Sequence, residues 1–143
     1  MLREPRACSA TRREAFPEAT AADGFAKIAG LELESCGREW VSEGSSCCEG
    51  RTAGYDCLMR AFKTCTPTRF GEGYGTRLGE PVLTDYFVMP KGSGCELVVM
   101  ADYSRDGWRG EEPEVLTTHC ATASLGIAAS GECPDLVLGE CGL

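Results

Sequence analysis

The clearest chemical pattern in the sequence is a short loop rich in oxygen-bearing side chains. Residues 102–107 read DYSRDG and match the start of the calcium-loop pattern D-x-[DN]-x-[DN]-G except at Ser104, a weaker ligand than Asp or Asn. In this pattern alternate residues supply oxygen ligands and the glycine permits a sharp turn. An EF-hand needs a glutamate where this chain has Pro113, and the residues before the loop alternate like a strand. The sequence therefore predicts either an acidic turn or a calcium site outside the EF-hand class. The ligands of such a site would be Asp102, Ser104, Asp106 and Glu112.

The adjacent pair His119-Cys120 is the second arrangement that could do chemistry. A cysteine–histidine catalytic pair needs a free thiol and a base that faces it, but neighbouring residues on a strand point to opposite faces. The sequence also contains no P-loop, no G-x-G-x-x-G fingerprint and no G-x-S-x-G nucleophile elbow. We therefore expect a protein that is not an enzyme. The alternative is a small secreted hydrolase in which Asp102, Asp106 and His119 converge.

Ten of the 143 residues are cysteines, and this even number favours complete pairing as disulfides. Zinc sites usually contain C-x-x-C pairs and additional histidines, whereas this chain has no C-x-x-C and a single histidine. Disulfides form in oxidising compartments, so we expect an extracellular, periplasmic or cell-surface location. The spacing does not determine which cysteines pair. The predicted disulfide residues are Cys8, Cys36, Cys47, Cys48, Cys57, Cys65, Cys95, Cys120, Cys133 and Cys141.

The N-terminal residues do not resemble an export signal. Residues 1–14 contain four arginines and no apolar run, whereas a secretory signal needs an apolar core. Three explanations stay open: the signal is absent from this chain, export uses another route, or the protein is cytosolic. No apolar segment reaches 18 residues, so we expect no membrane span.

Charge is distributed unevenly along the chain. The net charge is −8, and residues 71–143 carry twelve acidic and four basic side chains. This half of the chain would repel nucleic acid, but it would attract a cationic partner or a divalent metal. We therefore expect a protein partner or self-assembly, no nucleic acid, and either no cofactor or calcium.

A helix and a hairpin form the most regular part of the sequence. Leu58, Ala61, Phe62 and Cys65 follow the i, i+3, i+4, i+7 spacing of an apolar helix face, and Pro67 limits the helix because the residue before a proline avoids the α region. Residues 80–89 and 95–103 have the composition and alternation of strands, with a glycine-rich turn between them. We expect the helix to lie on the face of the hairpin that contains Leu97.

The remaining segments complete a predicted α+β fold, in which a short helix packs on a four- to five-stranded antiparallel sheet. Residues 20–30 resemble a capped helix with Phe25, Ile28 and Ala29 on its apolar face. Residues 31–36, 71–79 and 115–120 favour strands, with 71–79 at a sheet edge, and 121–130 fit either a helix or a strand. We expect one domain over 1–143, with an N-terminal arm (1–19) and a disulfide-linked C-terminal tail (131–143).

Four short stretches carry a resemblance to known sequences: CLMRAF at 57–62, CTP at 65–67, TDYFV at 84–88 and GCELV at 94–98. The chain resembles uncharacterised bacterial cysteine-rich exported or lipoprotein-type domains, in which a helix precedes a cysteine-linked sheet. That resemblance implies no activity. The leading hypothesis is a non-enzymatic extracellular or cell-envelope binding or structural module, either alone or as a subunit of a surface assembly. The alternatives are the secreted hydrolase and a calcium-dependent binding module.

Overall fold

A six-stranded sheet forms the centre of the molecule. The computed structural model describes residues 21–42, 49–75, 82–104, 114–127 and 134–142. The helices are α1 (Ala21–Ala29) and α2 (Glu49–Thr64), and the strands are β1 (Glu34–Ser42), β2 (Thr68–Gly75), β3 (Val82–Lys91), β4 (Gly94–Asp102), β5 (Val115–Ile127) and β6 (Pro134–Gly142). The strands lie side by side in chain order. Neither described helix is long and apolar enough to cross a membrane.

The α+β class is confirmed, but the predicted strand number and the fully antiparallel arrangement are wrong. The sheet has six strands, and β1 pairs with β2 in parallel while the other four pairings are antiparallel. Helix α2 supplies the crossover that a parallel pair requires. Strand β2 lies between β1 and β3 rather than at an edge, and residues 134–142 form β6. Periodicity within a segment does not reveal its partners in the sheet.

Helix α2 ends before Pro67, as the sequence predicts. Its C-terminus has two hydrogen bonds of a Schellman motif: the Thr66 N–H donates to the Ala61 carbonyl at 2.9 Å, and the Cys65 N–H donates to the Phe62 carbonyl at 3.3 Å. Cys65 occupies the left-handed region with φ of 51°, where glycine is usual. The helix therefore stops at Thr64, before Pro67.

Helices α1 and α2 pack against opposite faces of the sheet. On one face, Tyr55 and Leu58 of α2 pack with Phe70, Val88 and Leu97 from the strands, which confirms the predicted contact between this helix and the face that contains Leu97. The β3–β4 hairpin buries apolar side chains on both of its faces, however. Apolar residues of β3 and β4 form a second buried cluster against α1 on the other face: Phe87, Met89, Val98 and Met100.

The apolar side of α1 agrees with the prediction at Phe25 and Ala29 and differs from it at Ile28. Ile28 is 88% exposed, while Ala22 is buried and Phe25 packs on Phe87 with ring centroids 4.8 Å apart. The side of α1 that carries small residues packs closely on the sheet, whereas Ile28 lies in solvent. Gly30, with φ of 63°, follows the last helical residue as the sequence predicts.

An irregularity separates two parts of the β5–β6 ladder. The pairing omits Ala121 and Glu140, between the Cys120–Cys141 pair and the pairs that follow, and Glu140 has φ of 52°. Beyond this point, Ala123, Leu136 and Leu138 pack against the cluster beneath α2. Residues 121–127 therefore continue strand β5, which decides between the two predicted alternatives.

Three disulfides lie within the described ranges. Cys36–Cys57 joins β1 to α2, Cys65–Cys95 joins the end of α2 to the start of β4, and Cys120–Cys141 joins opposite residues of β5 and β6. This pairing confirms the disulfide prediction for six cysteines. The other four predicted disulfide residues lie outside the described residues: Cys8, Cys47, Cys48 and Cys133.

Peptide mapping should recover these three bridges from unreduced protein. We expect linked fragments for Cys36–Cys57, Cys65–Cys95 and Cys120–Cys141, and none of these six thiols should react with iodoacetamide after unfolding without a reductant. Reduced protein supplies the control, because every cysteine then alkylates. Labelling of these six residues before reduction would contradict the disulfide framework and the oxidising location.

Candidate functional site

The predicted calcium loop begins at a buried aspartate that stabilises a turn. Asp102 ends β4 and is 5% exposed, and its Oδ1 accepts a hydrogen bond from the Ser104 N–H at 2.9 Å. The Tyr103 N–H donates to the Glu114 carbonyl at 2.6 Å. Asp106 and Glu112 lie outside the described residues. The described ranges contain no group of three His, Cys, Asp or Glu residues suited to a metal, so calcium binding stays a prediction.

The predicted hydrolytic residues do not converge where the structure describes them. His119 lies opposite Val98 on β4, four residues from Asp102, and four residues of strand span about 13 Å. His119 Nδ1 lies instead 3.2 Å from Glu96 Oε1, and Lys91 Nζ lies 3.5 Å from Glu96 Oε2. Asp102 and His119 are therefore beyond hydrogen-bond reach of each other.

The cysteine–histidine arrangement is also not reactive. Cys120 is fully buried and forms the disulfide with Cys141. His119 pairs with Val98 while Cys120 pairs with Leu97, which places the two side chains on opposite faces. Cys120 therefore offers no free thiol to act as a nucleophile.

A buried carboxylate lies beneath α2. Glu72 on β2 is 8% exposed. The Tyr55 hydroxyl lies 3.0 Å from both of its carboxylate oxygens, and the Tyr86 hydroxyl donates to Oε1 at 2.6 Å. Burial, followed by the charge of Glu72, raises the pKa of Tyr86 above its ordinary value. Tyr86 therefore serves as a neutral donor, and the two hydroxyls together satisfy a carboxylate that would otherwise be costly to bury.

A second charged cluster lies on the α1 face, where β1, β2 and β3 meet. Arg69 Nε lies 2.8 Å from Asp85 Oδ1, and Arg69 Nη1 lies 2.8 Å from Asp23 Oδ1. Arg38 is 3.5 Å from the same Asp23 oxygen. The Arg69 guanidinium also lies over the Phe87 ring, 5.5 Å from its centroid. This cluster holds α1 on the sheet through paired charges.

The pKa values in this cluster follow from burial and pairing. Burial alone would lower the pKa of Arg69, but hydrogen bonds to Asp23 and Asp85 raise it above its ordinary value. Burial raises the pKa of Asp85, and Arg69 partly offsets this effect. The neighbouring cavity of about 250 Å³ is lined by Arg69 and Arg38 and by four residues at or just before the start of β1: Leu33, Glu34, Ser35 and Gly37. Its charges are already balanced, so it resembles a structural ion-pair cluster more than a catalytic cleft.

Neither polar cluster is evident in the sequence. Glu72 lies between Gly71 and Gly73, in a segment that the sequence predicts as an edge strand, where a charged side chain would be expected to face solvent. A useful signal is Gly71, since a Cβ there would lie 3.0 Å from Asp85 Oδ1 and 3.4 Å from Arg38 Cγ. The glycine makes room for charged side chains from both neighbouring strands.

Aromatic side chains can form either a recognition surface or the packing of a core, and two of those in this chain belong to the core. Tyr86 is 8% exposed and Phe87 is fully buried, and the two pack in clusters on opposite faces of the sheet. Tyr103 is half-buried, and Trp108 lies outside the described residues. The described aromatic residues therefore favour the packing interpretation.

The two sheet edges differ in how they discourage further pairing. Strand β1 has a register irregularity between Ser35 and Arg38, with Gly37 at φ of 89°. Bulges and charges of this kind protect an edge. Strand β6 pairs without interruption from Pro134 to Gly139 on its inner side, and its centre reads Leu-Val-Leu. Within the described ranges, β6 is the edge with an apolar, uncharged centre.

Exposed apolar side chains accompany the β6 edge. Val137 is 53% exposed and Leu125 on β5 is 37% exposed. Leu125 also lines a shallow groove beside α2 of about 460 Å³, together with Asp56, Met59, Arg60 and Lys63. The described surface thus combines a strand edge with nearby apolar area, which is typical of a protein contact.

The fold and disulfides define a small, disulfide-stabilised domain of extracellular type. Comparison of the chain with protein-family models, curated proteins and solved structures finds no match. The interpretation of function therefore depends on the geometry of this molecule.

Proposed function

We propose that this protein is a non-enzymatic binding module that works outside the cytoplasm and engages a protein partner through its surface. The observation that carries the proposal is the β6 edge, where Val137 is 53% exposed beside an uninterrupted apolar strand centre. Unpaired strand edges are common sites of peptide recognition. The described disulfides support an extracellular, periplasmic or cell-surface setting.

The internal polar contacts support binding over catalysis. Asp102 accepts the Ser104 N–H, Glu72 accepts from two tyrosines, and Arg69 pairs with two aspartates. A general acid or base needs access to a substrate and a suitable partner. These groups instead satisfy one another within the fold. The secreted hydrolase is accordingly the weaker alternative.

A combined substrate and peptide screen tests the proposal. Oxidised protein should turn over no chromogenic ester, phosphate, glycoside or peptide faster than His119→Gln does, because His119 has no catalytic role. The same protein should enrich peptides from a random displayed library, and the enrichment should be unchanged by millimolar calcium or by a chelator.

Each other outcome selects an alternative. Turnover that His119→Gln abolishes would replace the proposal with the hydrolase. Peptide binding that disappears on chelation would favour the calcium-dependent module with ligands near Asp102. Absence of any enriched peptide would contradict the binding proposal itself.

A further inference from the structure

We infer that strand β6 binds an extended, cationic segment of a partner protein, which adds to the sheet as a seventh strand. The inference rests on the proposed binding function and assigns it a site and a partner chemistry. It follows from three properties of strands β5 and β6: an available backbone, exposed apolar side chains, and acidic side chains without lysine or arginine.

The backbone of β6 provides the first property. Strand β6 is the last in the sheet order and pairs with β5 alone among the described strands. Alternate residues of an edge strand turn their N–H and C=O groups away from the sheet, where they can pair with another chain. The uninterrupted stretch from Pro134 to Gly139 is about 20 Å long at the usual rise per residue, which is enough for a segment of six residues.

The side chains provide the second property. Val137 is 53% exposed, while Leu136 and Leu138 are half-buried and pack toward the cluster beneath α2. Successive residues of a strand face opposite sides, so apolar side chains are available on both sides of this edge. A seventh strand that alternates apolar residues would cover them.

Charge provides the third property and selects the partner. Residues 110–143 contain six acidic residues and no lysine or arginine, and Asp135 and Glu140 lie at the two ends of the apolar stretch. A second copy of β6 paired antiparallel about the bond between Val137 and Leu138 would place Asp135 opposite Glu140. Like charges placed opposite each other destabilise a ladder, and each copy carries −8. Lysine or arginine on the added strand would instead complement Glu140 and the net negative charge of the chain.

Peptide titration tests the site with matched variants. The probe is acetyl-Lys-Val-Lys-Val-Lys-Val-Lys-amide, and the control peptides replace lysine by glutamate or the central valine by proline. Val137→Lys should weaken probe binding about tenfold through lost apolar contact and added repulsion, whereas Ile28→Lys, at an exposed apolar position on α1, should change it less than about twofold. Glu140→Lys should weaken it about threefold, with Glu32→Lys, exposed near the opposite edge, as its control.

Hydrogen exchange locates the contact and separates the outcomes. The probe should protect the backbone amides within 135–139 that point away from β5, and neither control peptide should bind. If each variant and its control changed probe binding equally, or if the proline peptide bound, the inference of strand addition would be wrong. Protection of these amides in the free monomer would show that the chain covers its own edge. Dimers abolished by Val137→Lys would show that a second copy occupies it, and both results overturn the inference.

The library used above distinguishes failure of the site from failure of the function. Cationic alternating peptides that Val137→Lys no longer enriches would support the inference. Enriched peptides that bind this variant and wild type equally would overturn the β6 site and leave the binding function standing. Absence of enriched peptides would overturn both.

Discussion

Replacing Arg69 by methionine should lower the free energy of unfolding by about 3 kcal/mol at neutral pH. Arg69 pairs with Asp85 and Asp23 at 2.8 Å each, and its side chain is only 17% exposed. Methionine keeps the apolar stem but leaves the buried Asp85 carboxylate without its cation. The estimate lies at the low end for a broken buried ion pair because part of Arg69 reaches solvent. Urea unfolding monitored by circular dichroism measures the change.

Arg38→Met is the matched control. Arg38 carries the same charge in the same cluster, but its side chain is 40% exposed and lies 3.5 Å from Asp23. Exposed ion pairs contribute little, so this variant should lose less than about 1 kcal/mol. Arg69→Met combined with Asp85→Leu should recover much of the stability, because an apolar pair can replace a buried ion pair. Equal losses in the two arginine variants would contradict the assigned role of burial.

The loss in Arg69→Met should also depend on pH. Burial raises the pKa of Asp85 in the native state, while Arg69, Arg38 and Asp23 face the same carboxyl. A raised native pKa means that the native state holds the proton more tightly than the unfolded state, so stability falls as pH rises through the interval between the two pKa values. Removal of Arg69 raises the native pKa further. The deficit of the variant should therefore be smaller at about pH 4 than at about pH 7.

Replacing Gly54 by alanine should destabilise the protein by about 2–3 kcal/mol, although alanine favours helices more than glycine does. Gly54 lies within α2, and a Cβ there would overlap the ring of Phe70. Phe70 is fully buried among Tyr55 and Tyr86, so its ring has little room to move. Thermal and urea unfolding should both show the loss.

Gly24→Ala in α1 should change the stability in the opposite direction. No atom lies within 4 Å of a Cβ built at Gly24, so alanine should stabilise the protein by about 0.5–1 kcal/mol through helix propensity. Gly54→Ala combined with Phe70→Leu should be more stable than Gly54→Ala alone, because the smaller side chain relieves the overlap. If Gly54→Ala stabilised the protein, the packing between α2 and β2 would be looser than it is in the structure.

The individual helices and strands can be predicted from the sequence because the pattern that defines each of them lies within one short segment. The β3–β4 hairpin follows from alternation and from the glycine-rich turn, where Gly92 has φ of 58°. The end of α2 follows from Pro67. The parallel pairing of β1 with β2 depends on contacts between distant segments, and no periodicity within either strand encodes it. The same limit explains the unexpected burial of Val98 against α1.

The polar interior is harder to predict than the apolar core. Glu72 looks like a surface residue between glycines, and its tyrosine partners lie 17 and 14 positions away. The predicted calcium ligands show the reverse situation. Asp102 does lie at a strand end, but its neighbour in the turn is the Ser104 backbone. Composition identifies which residues can do chemistry, whereas the sheet order determines which of them meet.

The three described disulfides close loops that follow one another along the chain: 36–57, 65–95 and 120–141. None of these loops encloses or crosses another. A polypeptide that enters an oxidising compartment from its N-terminus can thus complete each ring before the next cysteine pair has emerged. Assembly of these bridges requires no threading of one ring through another, so their formation is compatible with the order of translocation.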